Sequence, residues 1–233
     1  MLKYSIILPY YDRSIQFRKT LGSFLTWYDR DDYEVIIIED QKNYKNNKTH
    51  EELKEIIDSF KDRINIKHFV YPIVQINPVG HYKLGVDNSS GEYLVFSNPE
   101  CFHVADILGG FDKEFDKNRD VYVVCGCKGL EFSSKIMGWF QHSQHLNNRL
   151  HFCTALSRKQ YNKSGGFPQE FADGYAFDDN AFRDILLHIG IEFVLRDDLL
   201  VIHQKHSKPE FTEFKKREKY NRNRKLYRDL FLK

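Results

Sequence analysis

Apolar residues recur along this chain in two rhythms: short unbroken runs, and spacings of three and four. Residues 4–8 (YSIIL), 33–38 (YEVIII) and 93–96 (YLVF) are runs of strand length that lack polar alternation, as expected of strands covered on both faces of a sheet. Between the first two, residues 14–28 space Ile15, Leu21, Phe24, Leu25 and Tyr28 as one face of a helix. A strand, a helix and a strand in so short a span predict a parallel pair joined by a right-handed crossover. Residues 51–60 predict a second helix through Leu53, Ile56, Ile57 and Phe60, residues 65–71 a third strand, and residues 81–89 a short helix leading into the strand at 93. The N-terminal part therefore reads as strand and helix in alternation, a doubly wound α/β half.

After His103 the alternation ends. Residues 104–115 read as helical, 121–125 as a strand, and 126–149 carry no regular period, as expected of an irregular substrate-binding insertion. A strand at 151–157, a helical turn at 158–164 closed by Gly165 and Gly166, and a loop at 167–177 follow. Asp178 and Asp179 then open a helix over 180–188, where two acids suit the positive end of the helix dipole. Residues 191–195 read as a strand, residues 199–202 lead to His203 and His206, and the stretch from Glu213 onward predicts a basic terminal helix.

Composition narrows the function classes. In 233 residues, 35 Lys and Arg stand against 33 Asp and Glu, and a net charge of +2 makes no case for a nucleic-acid partner. No apolar run approaches the ~20 residues that cross a bilayer, so the reading is of a soluble, cytoplasmic chain without a signal peptide, its basic C-terminus able to touch a membrane surface. Cys101, Cys125, Cys127 and Cys153 lack the spacing of a zinc knuckle or a disulfide framework and predict free buried thiols. A single domain is expected over residues 1–233, with a nucleotide-binding half at 1–103, a second half at 104–210 and a terminal helix at 211–233.

The chemistry-bearing residues gather where predicted strands end. Asp12 and Asp40 follow two parallel strands, and Asn98, Pro99 and Glu100 follow the strand at 93, the edge of an α/β sheet where ligands collect. Five features in order resemble a GT-A fold glycosyltransferase of the family 2 type. They are the first strand with Pro9, Tyr10, Tyr11, Asp12 and Arg13; Glu39-Asp40; Asn77 and Gly80 through Lys83 and Gly85 to Gly91-Glu92-Tyr93; Gly165-Gly166-Phe167; and Asp178-Asp179. The resemblance implies a GT-A α/β fold: a Rossmann-like, mostly parallel central sheet with helices on both faces and a smaller acceptor-binding half. It also implies inverting transfer of a sugar from a nucleotide-sugar donor, carrying UDP or GDP, to a hydroxyl of a carbohydrate-bearing acceptor.

The family's two aspartates separated by one residue are replaced here by Asn98-Pro99-Glu100. A divalent cation, Mn²⁺ or Mg²⁺, is then expected on Glu100, with a neutral carbonyl from Asn98 and help from His103, His203 or His206; His206 followed by Ser207-Lys208 resembles the late histidine of several GT-A enzymes. The resemblance assigns Pro9, Tyr11, Asp12, Arg13, Asn98 and Pro99 to the donor, with Asp40 on the base or ribose. Lys83 is a candidate for the diphosphate or a solvated helix residue. Asp179, with Asp178 as its substitute, is the expected general base, because a carboxylate at a helix start is both fixed and partly desolvated. Trp139, Phe140, His142 and His145 are candidates either for sugar stacking or for packing. Two other classes stand beside this one: an inactive sugar-binding module of the same fold, and a sugar nucleotidyltransferase, against which the absence of glycine from PYYDRS speaks.

Overall fold

The computed structural model describes residues 2–75, 77–130, 136–206 and 213–232. Its centre is a nine-stranded mixed sheet. The first half is parallel: β1 (Tyr4–Tyr10) lies between β2 (Tyr33–Glu39) and β4 (Tyr93–Ser97), and β3 (Ile66–Val70) pairs with β2 on the outside. The unbroken apolar runs have the expected physical meaning. Tyr4, Ile6 and Leu8 of β1 and Val35 and Ile37 of β2 face one core, while Ile7, Ile36 and Ile38 face the other. Each such side chain, fully buried, contributes on the order of 1.5–3 kcal/mol, and the polar residues buried in these strands are paired, as Ser5 is with Glu34 at 2.7 Å.

Helices cover both sides. On the first face lie α1 (Ser14–Trp27), α3 (Asn47–Phe60) and α5 (Ile107–Phe115), burying Phe17, Leu21 and Phe24, Leu53 and Ile56, and Phe111 and Phe115. On the second lie α4 (Val79–Asp87), α6 (Arg158–Ser164) and α7 (Asp178–His188), through Tyr82, Tyr161 and Phe182. A short helix, α2 (Gln41–Tyr44), stands between β2 and α3, where the Asn- and Lys-rich sequence predicts only loop. The four cysteines are free and buried.

The second half of the sheet runs β8 (Cys153–Ser157), β6 (Val121–Leu130), β9 (Glu192–His203) and β5 (Cys101–His103), with β7 (Ile136–Gln141) also on β6. Here the sequence reading needs correction. The stretch after residue 125, expected to be irregular, continues as β6 and pairs with β7 as antiparallel strands. Register shifts and glycines at 126, 129 and 138 break the period-two pattern that would have announced these strands. The strand expected at 191–195 does not end there but runs on through residues 199–202 to His203 as one strand, β9. Its pairing with β6 shifts register after Cys125, where Arg196, Asp197 and Asp198 interrupt the apolar pattern; a Cβ on Gly126 would stand 2.9 Å from the Asp197 carbonyl oxygen. After Asn98, Pro99 and Glu100 a short strand, β5, forms and pairs antiparallel with the end of β9.

The chain ends in α8 (Glu213–Phe231), whose Tyr227 joins Phe171 and Ala181 in a small third core. Asn223 on α8 is fully buried and donates to the carbonyls of Phe171 (3.0 Å) and Ala176 (2.8 Å). This helix therefore fastens the loop that leads into α7. Among the described residues no helix is long and apolar enough to cross a membrane.

Candidate active site

The carboxyl ends of β1, β2 and β4 open on one side of the sheet, as their parallel pairing requires. Pro9, Tyr11, Arg13, Asp40, Asn98, Pro99 and Glu100 line a single cleft there, with a volume of about 270 Å³. Asp40 is 5% exposed and caps α2, accepting a hydrogen bond from the backbone N–H of Lys42 at 2.7 Å. Its Oδ2 has no hydrogen-bond partner and lies 3.4 Å from Nε2 of His81, whose Nδ1 is also buried and unpartnered. The ring of Tyr71 packs over that imidazole at 4.4 Å between centroids. Unpaired buried polar atoms are costly, so a carboxylate oxygen left this way in a cleft marks a place where a ligand completes the bonding.

The floor beneath Asp40 is built from Glu39, which is fully buried. Glu39 accepts from Asn43 Nδ2 at 2.5 Å, and His50 and His68 each place a ring nitrogen 3.0 Å from its Oε2. Burial pushes this carboxyl up, but the bonds from His68, Asn43 and His50 outweigh it and hold the group below its ordinary range. Asn43 in turn accepts the backbone N–H of Asp12. Asp12 itself is exposed, adopts φ 45° and is not among the residues lining the cleft. Lys83 is not there either: it sits on the outer face of α4 and pairs with Asp87 at 2.6 Å.

At the other end of the cleft stands Glu100. The pairing of β5 with β9 sets Cys101 opposite His203, and this brings Glu100 Oε1 within 3.4 Å of His203 Nε2 and 3.3 Å of His206 Nε2. One ligand atom from each of the three residues lies within 4.8 Å of the others. Burial raises the Glu100 carboxyl, but hydrogen bonds from His203 and His206 overcome it and hold the group well below the usual carboxylate range. An ionised carboxylate and two imidazoles form a donor set that fits Mn²⁺ well and Mg²⁺ less well, since Mg²⁺ favours all-oxygen shells. His103 is not part of it; its ring is buried in the core, bonded to Tyr28 and 3.9 Å from the Cys153 sulfur. Ser207 and Lys208 lie outside the described residues.

A second pocket, of about 240 Å³, adjoins the first and shares Pro78, Tyr82 and Asn98 with it. Its wall carries Asp178, Asp179 and His151. The two acids begin α7 directly after Ala176 and Phe177, both with positive φ (61° and 68°). Two consecutive non-glycine residues in the left-handed region cost energy, and they turn the helix start toward the pocket. Asp178 is buried and accepts from Asn77 Nδ2 at 2.9 Å; burial first, then the neighbouring Asp179 charge, push it up to about 7. The Asp179 side chain is 34% exposed and meets His151 Nε2 at 2.9 Å. Burial acts against its charge, but the imidazole outweighs it, so the carboxyl stays below its ordinary range.

His151 and His81 are the residues that sequence reasoning did not single out. Neither belongs to a pattern visible in its own neighbourhood. The aromatic candidates divide. Phe140 stacks on Phe152 at 5.5 Å and presents an edge to His203, beside the cleft, whereas Trp139 packs with His142 and His145 under the ammonium of Lys128.

Among solved structures, the fold is similar to that of Staphylococcus aureus TarS residues 1–349 in complex with UDP-GlcNAc, with a TM-score of 0.71, 14% identity, and 89% of this chain and 60% of that one covered. It is also similar to the mannosyltransferase PcManGT of Pyrobaculum calidifontis in complex with GDP-Man and Mn²⁺, with a TM-score of 0.64, 14% identity, and 86% and 56% coverage. The chain thus spans about 60% of the length of the TarS fragment. No curated protein matches it in sequence. The family model described as Glycosyl transferase family 2 matches residues 5–177, and the chain belongs to that family.

Proposed function

We propose that this protein transfers a sugar from a nucleoside diphosphate sugar to a hydroxyl group of a carbohydrate-bearing acceptor, with inversion at the anomeric carbon and dependence on a divalent cation. The observation that carries this reading is the pair of adjoining pockets. One holds an unsatisfied Asp40 carboxylate and the Glu100, His203 and His206 cluster; the other holds the Asp178 and Asp179 pair, and Asn98 borders both.

In this reading the base and ribose of the donor complete the bonding of Asp40 and His81, and the buried Arg13 guanidinium adds positive charge to the same cleft. Glu100, His203 and His206 hold the cation, with the Asn98 carbonyl as a further oxygen. Bound there, the ion supplies the positive charge that offsets the diphosphate as it leaves. Asp179 accepts the proton of the acceptor hydroxyl as its oxygen attacks the anomeric carbon. The bond from that carbon to the phosphate oxygen breaks, and its electron pair departs with the nucleoside diphosphate. One base acting in a single displacement is sufficient for inversion.

The TarS complex carries a UDP sugar and the mannosyltransferase complex a GDP sugar with Mn²⁺, which supports a nucleotide-sugar donor and leaves the base to experiment. Calorimetric titration of UDP and of GDP, each with and without Mn²⁺, tests the reading. Binding of one nucleotide that is strengthened by Mn²⁺ in the wild type, but not in Glu100→Ala, is expected. Binding of neither nucleotide would overturn it.

A further inference from the structure

The imidazole of His151 does more in the acceptor pocket than fill space. It is 4% exposed and walled by the edges of Tyr82, Phe167 and Phe182, with ring centroids 5.3, 4.9 and 6.4 Å away. Its Nε2 is directed at Asp179 Oδ1, 2.9 Å away, and this is the contact through which the imidazole meets the pocket's acids. A buried imidazole in aromatic surroundings is ordinarily driven neutral. Here two carboxyl groups face it.

The acids themselves are unlike. Asp178 is buried, held by Asn77 and disposed to keep a proton, whereas Asp179 is half-buried and disposed to lose one. Tyr82 from α4, Tyr122 from β6 and Tyr175 from the loop before α7 are further titratable groups near the pair, and burial keeps the Tyr82 and Tyr122 phenols protonated. The arrangement therefore places one negative charge on Asp179, with a cationic donor on one side and a neutral acid on the other.

We propose that His151 is a positioning residue of the transfer reaction: its Nε2–H holds Asp179 Oδ1 and so orients the carboxylate that receives the acceptor proton. This inference rests on the assignment of Asp179 as the base. In the step itself the acceptor O–H proton moves to the Asp179 carboxylate, the acceptor oxygen forms its bond to the anomeric carbon, and the diphosphate carries away the electron pair. His151 keeps its proton throughout. Burial lowers the His151 pKa, but Asp179 outweighs burial and raises it above the ordinary value, in keeping with an imidazolium partner.

The test needs no acceptor. Imidazole ¹⁵N–¹H correlation spectra of the whole chain, recorded against pH, read the protonation of His151 directly. His151 is expected to stay doubly protonated to a higher pH than an exposed histidine, and Asp179→Asn is expected to lower its midpoint by about a pH unit or more. An unchanged midpoint in Asp179→Asn, or a neutral ring throughout, would overturn the proposal.

The second readout is hydrolysis of UDP-GlcNAc and of GDP-mannose, followed through the released nucleotide. In His151→Asn the acidic limb of kcat is expected to move to higher pH, by about one unit, with KM for the donor unchanged. The direction follows from sign: removing a nearby cation raises the pKa of the base, so more acid-side activity is lost. A limb that stays in place sinks the positioning role. If Asp179→Asn hydrolyses donor as fast as the wild type, the base assignment fails instead, and the spectra still decide whether the two side chains form a pair.

Discussion

The two pockets are neighbours, yet their polar groups are arranged oppositely. In the donor cleft, buried polar atoms are left open: Asp40 Oδ2 and His81 Nδ1 have no hydrogen-bond partner. In the acceptor pocket each acid is engaged by a donor, Asp179 by His151 and Asp178 by Asn77. The difference matches the roles proposed for the two pockets. Unsatisfied atoms lower the stability of the empty cleft and are recovered on binding, which suits the recognition role proposed for the donor side. A closed network instead fixes where charge and proton reside before any substrate arrives, which is what a proton-transfer site requires.

That contrast can be broken at several points. Asp179→Asn should have the largest effect, lowering transfer by roughly 10²–10⁴-fold while nucleotide affinity measured by calorimetry stays the same. If affinity falls equally, the division of labour between the pockets is wrong. Glu100→Ala should weaken Mn²⁺-supported nucleotide binding at least about tenfold and abolish the difference between titrations with and without the ion. Asp40→Ala should cost about 1–3 kcal/mol of nucleotide binding whether or not Mn²⁺ is present, because the loss is of a hydrogen-bonding carboxylate and not of a metal ligand.

Asn223→Ala acts on neither pocket directly. It leaves the buried carbonyl of Phe171 and the partly buried carbonyl of Ala176 without their donor, so a loss of about 1–3 kcal/mol is expected, read as a fall in Tm of about 2–4 °C for each kcal/mol. Because the Ala176 carbonyl immediately precedes the helix that carries Asp178, transfer should fall more than donor binding does. The smallest effect belongs to Lys83→Ala. Its ammonium is exposed and paired along its own helix with Asp87, so donor affinity should be unchanged, and a drop would return Lys83 to the diphosphate.

Strand and helix identity in the nucleotide half was legible because it is local. An unbroken run such as YEVIII has one stable use, in a strand buried on both faces, and the three- and four-residue spacing of Leu53, Ile56 and Ile57 has one use, on a covered helix. The acceptor half was less legible for an equally physical reason. In β6 the glycines and the register shift remove the alternation that a strand normally writes into its sequence, and in β9 the run Arg196, Asp197 and Asp198 looks like a turn although it lies within one strand. The placement of Lys83 was open from sequence because its lysine fits a solvated face as well as a phosphate.

By itself, then, the sequence determined the doubly wound half and the strand ends that carry Asp40 and Glu100, since each depends on residues within one or two turns of chain. Only the tertiary structure decided which distant groups meet. Glu100 reaches His203 and His206 through the pairing of β5 with β9, and His151 reaches Asp179 because β8 and α7 pack around the same aromatic core. A one-residue slip in a strand turns a side chain to the opposite face, so contacts of this kind depend on register and packing, which local pattern does not specify.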